Sequence, residues 1–248
     1  MPPGITGSIM QYDVLIPAAP KDYNKVPFVV ESLRYLEPQP QHIYVVSPDG
    51  IQVKDTIGYC DYEVLSLNPL QNKYYRPQWI FQQFIKLFQD ITRESLYLVV
   101  DSDLIFNRKF EVFPQGNRTF FLGIDQHHTP YFNLMQQLFG FGRVYPWSFI
   151  SEVMLFDKSI TQGITPSVES LYTKVCDLID SSGQDYLIAD YELYGNYVTR
   201  YYPTLYHTKH IKTKLSGIYS QWNDDMISNI IASMSSQDYD TFTIHTWI

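Results

Sequence analysis

Five consecutive apolar residues, Leu96-Tyr97-Leu98-Val99-Val100, run directly into Asp101-Ser102-Asp103. A strand that is apolar on both faces must be covered on both faces, which predicts a helix-flanked, mostly parallel sheet. In open sheets of that kind ligands collect beyond the carboxyl ends of the strands. Alternation along an extended chain puts Asp101 and Asp103 on the same side, so one cation can reach both carboxylates. Such hard oxygen donors suit Mg²⁺ or Mn²⁺, which keep several waters and complete their shells with substrate phosphates. A diphosphate is therefore the expected ligand. The competing reading is an Asp-rich turn that merely closes the strand.

The rest of the pattern alternates strands with helices and predicts a layered α/β sheet. Strands are expected at Tyr12–Ile16, Ile43–Ser47, Tyr62–Leu65, Leu96–Val100, Leu104–Phe106, Thr119–Ile124 and Glu152–Phe156. Helices are expected at about Asn24–Leu36, Pro77–Ile91, Ser167–Ile179, Asp190–Tyr201 and Asp224–Met234, with Asp125–Ser151 an excursion over the site. The helix before the Asp pair has two faces. Ile80, Phe84, Leu87 and Ile91 share an apolar arc, whereas Gln78, Gln82, Lys86 and Gln89 share the opposite one. That polar arc reads either as a solvated surface or, with Arg76, as donors for sugar hydroxyls and a diphosphate.

A net charge of −8 without any Lys/Arg run leaves no electrostatic footprint for nucleic acid. Cys60 and Cys176 stand far apart and form neither a disulfide framework nor a zinc signature, so a reducing compartment is the default. No apolar run approaches the ~20 residues of a membrane span. The expectation is a soluble, cytoplasmic protein without integral membrane contact. Residues 1–9 read as a flexible leader. Residues 10–248 read as one domain, with a nucleotide-side half over 10–106 and an acceptor-side half over 107–248.

Three blocks carry a family resemblance: Arg76-Pro77-Gln78-Trp79 with Gln82-Gln83 and Lys86; the strand with Asp101-Ser102-Asp103; and Asp190-Tyr191-Glu192-Leu193-Tyr194-Gly195-Asn196-Tyr197. Over roughly residues 10–210 they resemble nucleotide-sugar glycosyltransferases of the GT-A fold, in the bacterial and large-virus form that lacks a membrane anchor. The resemblance implies a Rossmann-like single domain whose Asp-x-Asp holds Mn²⁺ or Mg²⁺ against the diphosphate of a nucleotide-sugar donor. By that resemblance Asp103 binds the metal directly, and Asp101 faces the ribose or a metal-bound water. The stretch from Val14 to Asp22 holds the nucleoside, with Asp49 toward the base. His207 and His210 lie where the fold often supplies a third metal ligand, and Lys212 where it supplies a diphosphate-binding lysine.

Transfer with inversion needs a carboxylate to take the acceptor's proton while a metal and a cation such as Lys86 or Lys212 stabilise the departing diphosphate. The resemblance makes Asp190 the first candidate base and Glu192 the second, with Asp125 and Glu152 next. Either of the first two also reads as a helix N-terminal carboxylate stabilised by the dipole. The expected reaction is transfer from a UDP-sugar, a pentose such as xylose or a hexose, to a glycan or glycoside hydroxyl. Tyr131, Phe132, Tyr145, Trp147 and Trp222 are candidate sugar platforms, Trp147 foremost, and His127 with His128 are candidate acceptor-pocket residues; most such aromatics serve as core. His42 and His245 carry no argument. Three rivals remain: a haloacid-dehalogenase-like phosphatase with Asp101 as nucleophile, a non-catalytic sugar-binding protein, and a nucleotidyltransferase. The ~100 residues of α/β pattern ahead of the Asp pair oppose the first. The absence of a Gly-rich loop after the first strand, where Pro17-Ala18-Ala19-Pro20-Lys21 stands, opposes the last.

Overall fold

The structure, a computed structural model, describes residues 10–67, 77–183, 187–219 and 221–246; the 1–9 leader and Arg76 lie outside that range. The first half contains β1 (Asp13–Pro17), α1 (Val26–Ser32), β2 (Leu36–Glu37), β3 (Ile43–Ser47), β4 (Ile57–Cys60), α2 (Asp61–Val64), α3 (Pro77–Phe88), β5 (Leu96–Val100) and β6 (Leu104–Phe106). The second contains β7 (Phe110–Glu111), β8 (Thr119–Leu122), α4 (Thr129–Phe139), β9 (Val153–Asp157), α5 (Lys158–Ile164), α6 (Val168–Ser182), α7 (Asp190–Tyr201), β10 (His207–His210), β11 (Thr213–Tyr219), α8 (Asp224–Met234) and β12 (Thr241–Thr246).

The central sheet has the order β4-β3-β1-β5-β9, with the first four strands parallel and β9 antiparallel to β5. It is thus the mixed, mostly parallel, helix-flanked sheet that the apolar strands predict. Both β1 and β5 are buried along their whole length, and each fully buried Val, Leu or Ile contributes roughly 1.5–3 kcal/mol. Asp13, the one charge inside β1, is satisfied: its carboxylate accepts from Arg93 N at 2.7 Å and Glu94 N at 2.9 Å and pairs with His42 Nδ1 at 3.0 Å. The same contacts fasten the start of β1 to the segments leading into β5 and β3.

From β1 the chain crosses to β3 and β4 on one side and later to β5 on the other. A crevice therefore opens between β1 and β5 at their carboxyl ends. A second sheet, β11-β12-β6, continues beside it. Its β12 runs antiparallel to β6, so that Ile244 N donates to Asp103 O at 3.0 Å. The C-terminal strand is thereby delivered to the Asp pair.

Several expected boundaries shift for identifiable reasons. The strand expected at Tyr62–Leu65 is the short helix α2, because Cys60 N donates to Glu63 Oε2 at 3.0 Å in a capping arrangement; the strand is the preceding β4. α3 ends at Phe88, three residues early. Gln89 turns inward there, and its Oε1 accepts from Ile91 N and Thr92 N at 2.9 and 3.1 Å. The excursion over Asp125–Ser151 contains α4, started by Pro130 and stopped by Gly140 at φ +73°.

Candidate functional site

The carboxyl ends of β1, β3 and β5 line a cleft of about 460 Å³. Its apolar floor includes Pro17, Ala18, Val46, Pro48, Trp79 and Ile85, and its polar wall includes Asp22, Asp61, Gln78, Gln82, Asp101 and Asp103. The two carboxylates share the cleft, but not through strand alternation. The strand ends at Val100, and Leu104 N donates to Asp101 O at 3.1 Å in a turn. The polar arc of α3 divides: its first two members reach this cleft, and Gln89 turns away to Ile91 and Thr92. Gln78 and Gln82 line the cleft, Lys86 is 4% exposed, and Gln82 Nε2 donates to Pro17 O at 3.2 Å.

Lys86 Nζ donates to Asp101 Oδ1 at 2.7 Å and lies 3.7 Å from Asp190 Oδ2. Burial alone pulls its ammonium down, but Asp101 and Asp190 outweigh that and hold its pKa above the ordinary lysine value. The Tyr191 hydroxyl also donates to Asp101 Oδ1, at 2.8 Å, and its ring lies 4.6 Å from Lys86 Nζ. Asp190 itself is 3% exposed, and burial pushes its carboxyl up to about 6. It faces Lys86 behind Asp101 and lines neither the cleft nor the second cavity described below.

Asp103 meets an unexpected partner. His245 Nδ1 pairs with Asp103 Oδ2 at 2.7 Å, and His245 Nε2 lies 3.4 Å from Glu152 Oε1. Those two carboxylates push the imidazole up to about 10. Glu152 has a left-handed backbone, φ +63°, which costs a non-glycine residue of order 1–3 kcal/mol. Burial raises its carboxyl to about 7. Its own carbonyl accepts from Asp101 N at 2.9 Å, so backbone and side chain both abut the Asp pair. Behind His245 and Glu152 lies a second cavity of about 160 Å³.

The Asp190–Tyr197 block holds this geometry from the opposite side. Glu192 Oε1 accepts from Ser148 Oγ at 2.6 Å and Phe149 N at 3.2 Å, while Asn196 Oδ1 accepts from Val144 N and Tyr145 N. A Cβ on Gly195 would stand 2.2 Å from the Phe149 ring, so only glycine admits that approach. The α7 residues thus clamp the 144–149 loop that leads into Glu152. Glu192 is 1% exposed, and burial raises its pKa.

Other expected site residues lie elsewhere. His207 and His210 sit on exposed β10 alongside β8, and the His210 ring meets Trp147. Lys212 pairs with Asp238, and its N–H donates to Asp240 Oδ2 at 2.8 Å. Asp49 accepts from the Tyr23 hydroxyl at 2.9 Å, whereas Asp61, not Asp49, lines the cleft near Pro48. Asp125 accepts from Arg143 and from Ser148 N, and His127 adjoins Arg143. The His128 and Tyr131 rings meet each other, and Phe132 packs in the core. Tyr145 bonds Thr208, Trp147 Nε1 donates to Gly123 O, and buried Trp222 donates to His245 O at 3.0 Å. No His, Cys, Asp and Glu group of three or more is arranged to hold a metal among the described residues. The hard carboxylate oxygens of Asp101 and Asp103 nevertheless suit Mg²⁺ or Mn²⁺, with His245 positioned to orient Asp103. His245 was missed because its sole signal was position, a histidine one strand away in a C-terminal run of alternating residues.

No family model matches the chain, and no curated protein sequence matches it. Solved structures do. Mouse xyloside xylosyltransferase 1, apo form, aligns over 95% of this chain and 98% of its own at 14% identity and a TM-score of 0.44. The glycosyltransferase GlyE of Streptococcus pneumoniae TIGR4 aligns over 81% and 45% at 13% identity and 0.38. An active-site mutant of LgtC aligns over 93% and 86% at 9% identity and 0.49. At such identities and TM-scores these likenesses carry no weight in assigning the site, which rests on its own geometry. Among the described residues no helix is long and apolar enough to cross a membrane.

Proposed function

We propose that this chain is a divalent-cation-dependent glycosyltransferase that moves a sugar from a UDP-sugar to a glycan or glycoside hydroxyl with inversion. The observation that supports this most is the placement of Asp101 and Asp103 in the cleft between β1 and β5, beside an apolar floor suited to a nucleoside. Asp103 and Asp101 are the residues that would hold Mn²⁺ or Mg²⁺, and His245 orients the Asp103 carboxylate. When bound, the cation neutralises charge that develops on the departing diphosphate. The base lies toward Pro48 and Asp61, and Gln78 with Gln82 offers hydrogen bonds to the diphosphate or sugar. Lys86 and Tyr191 fix the Asp101 carboxylate, and Lys86 with Asp190 forms the buried support behind it.

Inversion requires one carboxylate at the acceptor hydroxyl. Glu152 lines the second cavity and is linked through His245 to Asp103 of the cleft, whereas Asp190 and Glu192 are enclosed behind the site. In the transfer step the acceptor oxygen bonds the anomeric carbon and gives its proton to Glu152. The anomeric carbon's bond to the diphosphate breaks, and the electron pair leaves on the phosphate oxygen.

A thermal-shift panel of UDP-, GDP-, CMP- and dTDP-sugars, UDP-xylose included, with and without Mn²⁺, tests the reading. The expected result is a UDP-sugar shift enlarged by Mn²⁺. Equal response to every nucleotide, or to none, would overturn it.

A further inference from the structure

The second cavity has a chemistry of its own. Glu152 and His245 form the end nearest the Asp pair, Gln126 and Thr213 add an amide and a hydroxyl, and Ile124 with Leu215 forms the rim. Those two rim residues are 62% and 43% exposed, so their C–H surfaces stay open beside the polar groups of the cavity. Among the described residues no Lys or Arg lines the cavity, and the one cation there, the His245 imidazolium, is already held between Asp103 and Glu152, so a phosphorylated or carboxylated occupant is disfavoured. At about 160 Å³ it is well below the ~300–1,000 Å³ that hold drug-sized ligands. A hydroxylated edge with an apolar C–H face is the pattern of a pyranose or furanose ring, which presents both to a site of this kind.

Position supports the same occupant. His245 spans from Asp103, in the first cleft, to Glu152, in the second cavity, so a molecule seated in the latter has one edge directed at the donor side. The left-handed backbone of Glu152 aims the residue there at a cost in strain that a purely structural position would avoid with glycine.

Resting on the transferase reading above, we propose that this second cavity is the acceptor subsite and takes one neutral terminal sugar ring. Glu152 accepts a hydrogen bond from the ring hydroxyl that faces the donor cleft. Gln126 and Thr213 hold the hydroxyls on the far edge, and Ile124 and Leu215 cover the C–H face. Tyr131, Phe132, Tyr145 and Trp147 then lie outside the first acceptor ring.

Saturation-transfer NMR on the full chain with methyl glucoside, galactoside, mannoside, xyloside and, as the charged counterpart, methyl glucuronide tests this. At least one neutral glycoside should give saturable signals and the glucuronide none. The exposed substitutions Gln126→Trp and Leu215→Trp, placed to occupy the cavity, should weaken that binding about tenfold or more while melting temperature and UDP-sugar shift stay at the wild-type value. Neutral-glycoside binding unchanged in both variants, a preference for the glucuronide, or no glycoside binding at all would overturn the subsite. Loss of the UDP-sugar shift in the wild type would instead overturn the transferase reading, and the glycoside signals would still decide the subsite.

Discussion

The two sides of the Asp pair are built differently. The cleft between β1 and β5 is made by the ends of three parallel strands, each a contiguous apolar run followed within a few residues by its polar contribution. The second cavity is assembled from residues that include Gln126, Glu152, Thr213 and His245, which come from four separate segments and belong to no motif. The contact that joins the sides, Asp103 to His245, spans 142 residues of sequence. A site at a strand end is written locally; a site between a loop and a late strand depends on topology.

If that contrast is right, damage to the joint should cost most. Asp103→Ala is expected to lower turnover by about 10³-fold or more and to remove the Mn²⁺-enhanced part of donor binding, with the melting curve still cooperative. Initial rates and a donor titration check both. Glu152→Gln should lower kcat by about 10²–10⁴ with donor affinity nearly unchanged, because proton transfer is needed only in the transition state. Its companion, Glu152→Gly, should lose activity yet retain or gain stability by about 1 kcal/mol, since glycine adopts φ +63° without strain. A melting point well below wild type would show that Glu152 is held for packing.

Asp190→Asn tests the enclosed side. With Asp190 acting only through Lys86, kcat should fall by about tenfold or less; a loss as large as that of Glu152→Gln would return the base to Asp190. Gly195→Ala should destabilise by about 1–3 kcal/mol through its collision with Phe149, measured by denaturant midpoint. Smallest of all, His207→Ala and His210→Ala on exposed β10 should change stability by no more than about 0.5 kcal/mol and leave Mn²⁺ dependence intact. Altered metal dependence in either would place the third ligand on β10 after all.

The cleft between β1 and β5 was legible in the sequence. Continuous burial of β5, the carboxylates that follow it and the two-faced α3 all declare themselves within short windows. Even there the detail differs, since a turn, not alternation, brings Asp101 and Asp103 into one cleft. The Asp190–Tyr197 block was visible as a motif but not as a clamp, because the loop it holds lies 44 residues earlier at Ser148 and has no periodicity of its own. His245 and the left-handed Glu152 were beyond local reading: the first depends on β12 pairing with β6, the second on a backbone angle that residue type argues against.

Anomalous diffraction from crystals grown with Mn²⁺ and UDP tests the central claim most directly. The account predicts a manganese peak within coordination distance of Asp103, adjoining Asp101, with the diphosphate beside it and the uracil on the apolar floor near Pro48 and Asp61. A peak elsewhere, or UDP bound away from the ends of β1 and β5, would contradict it.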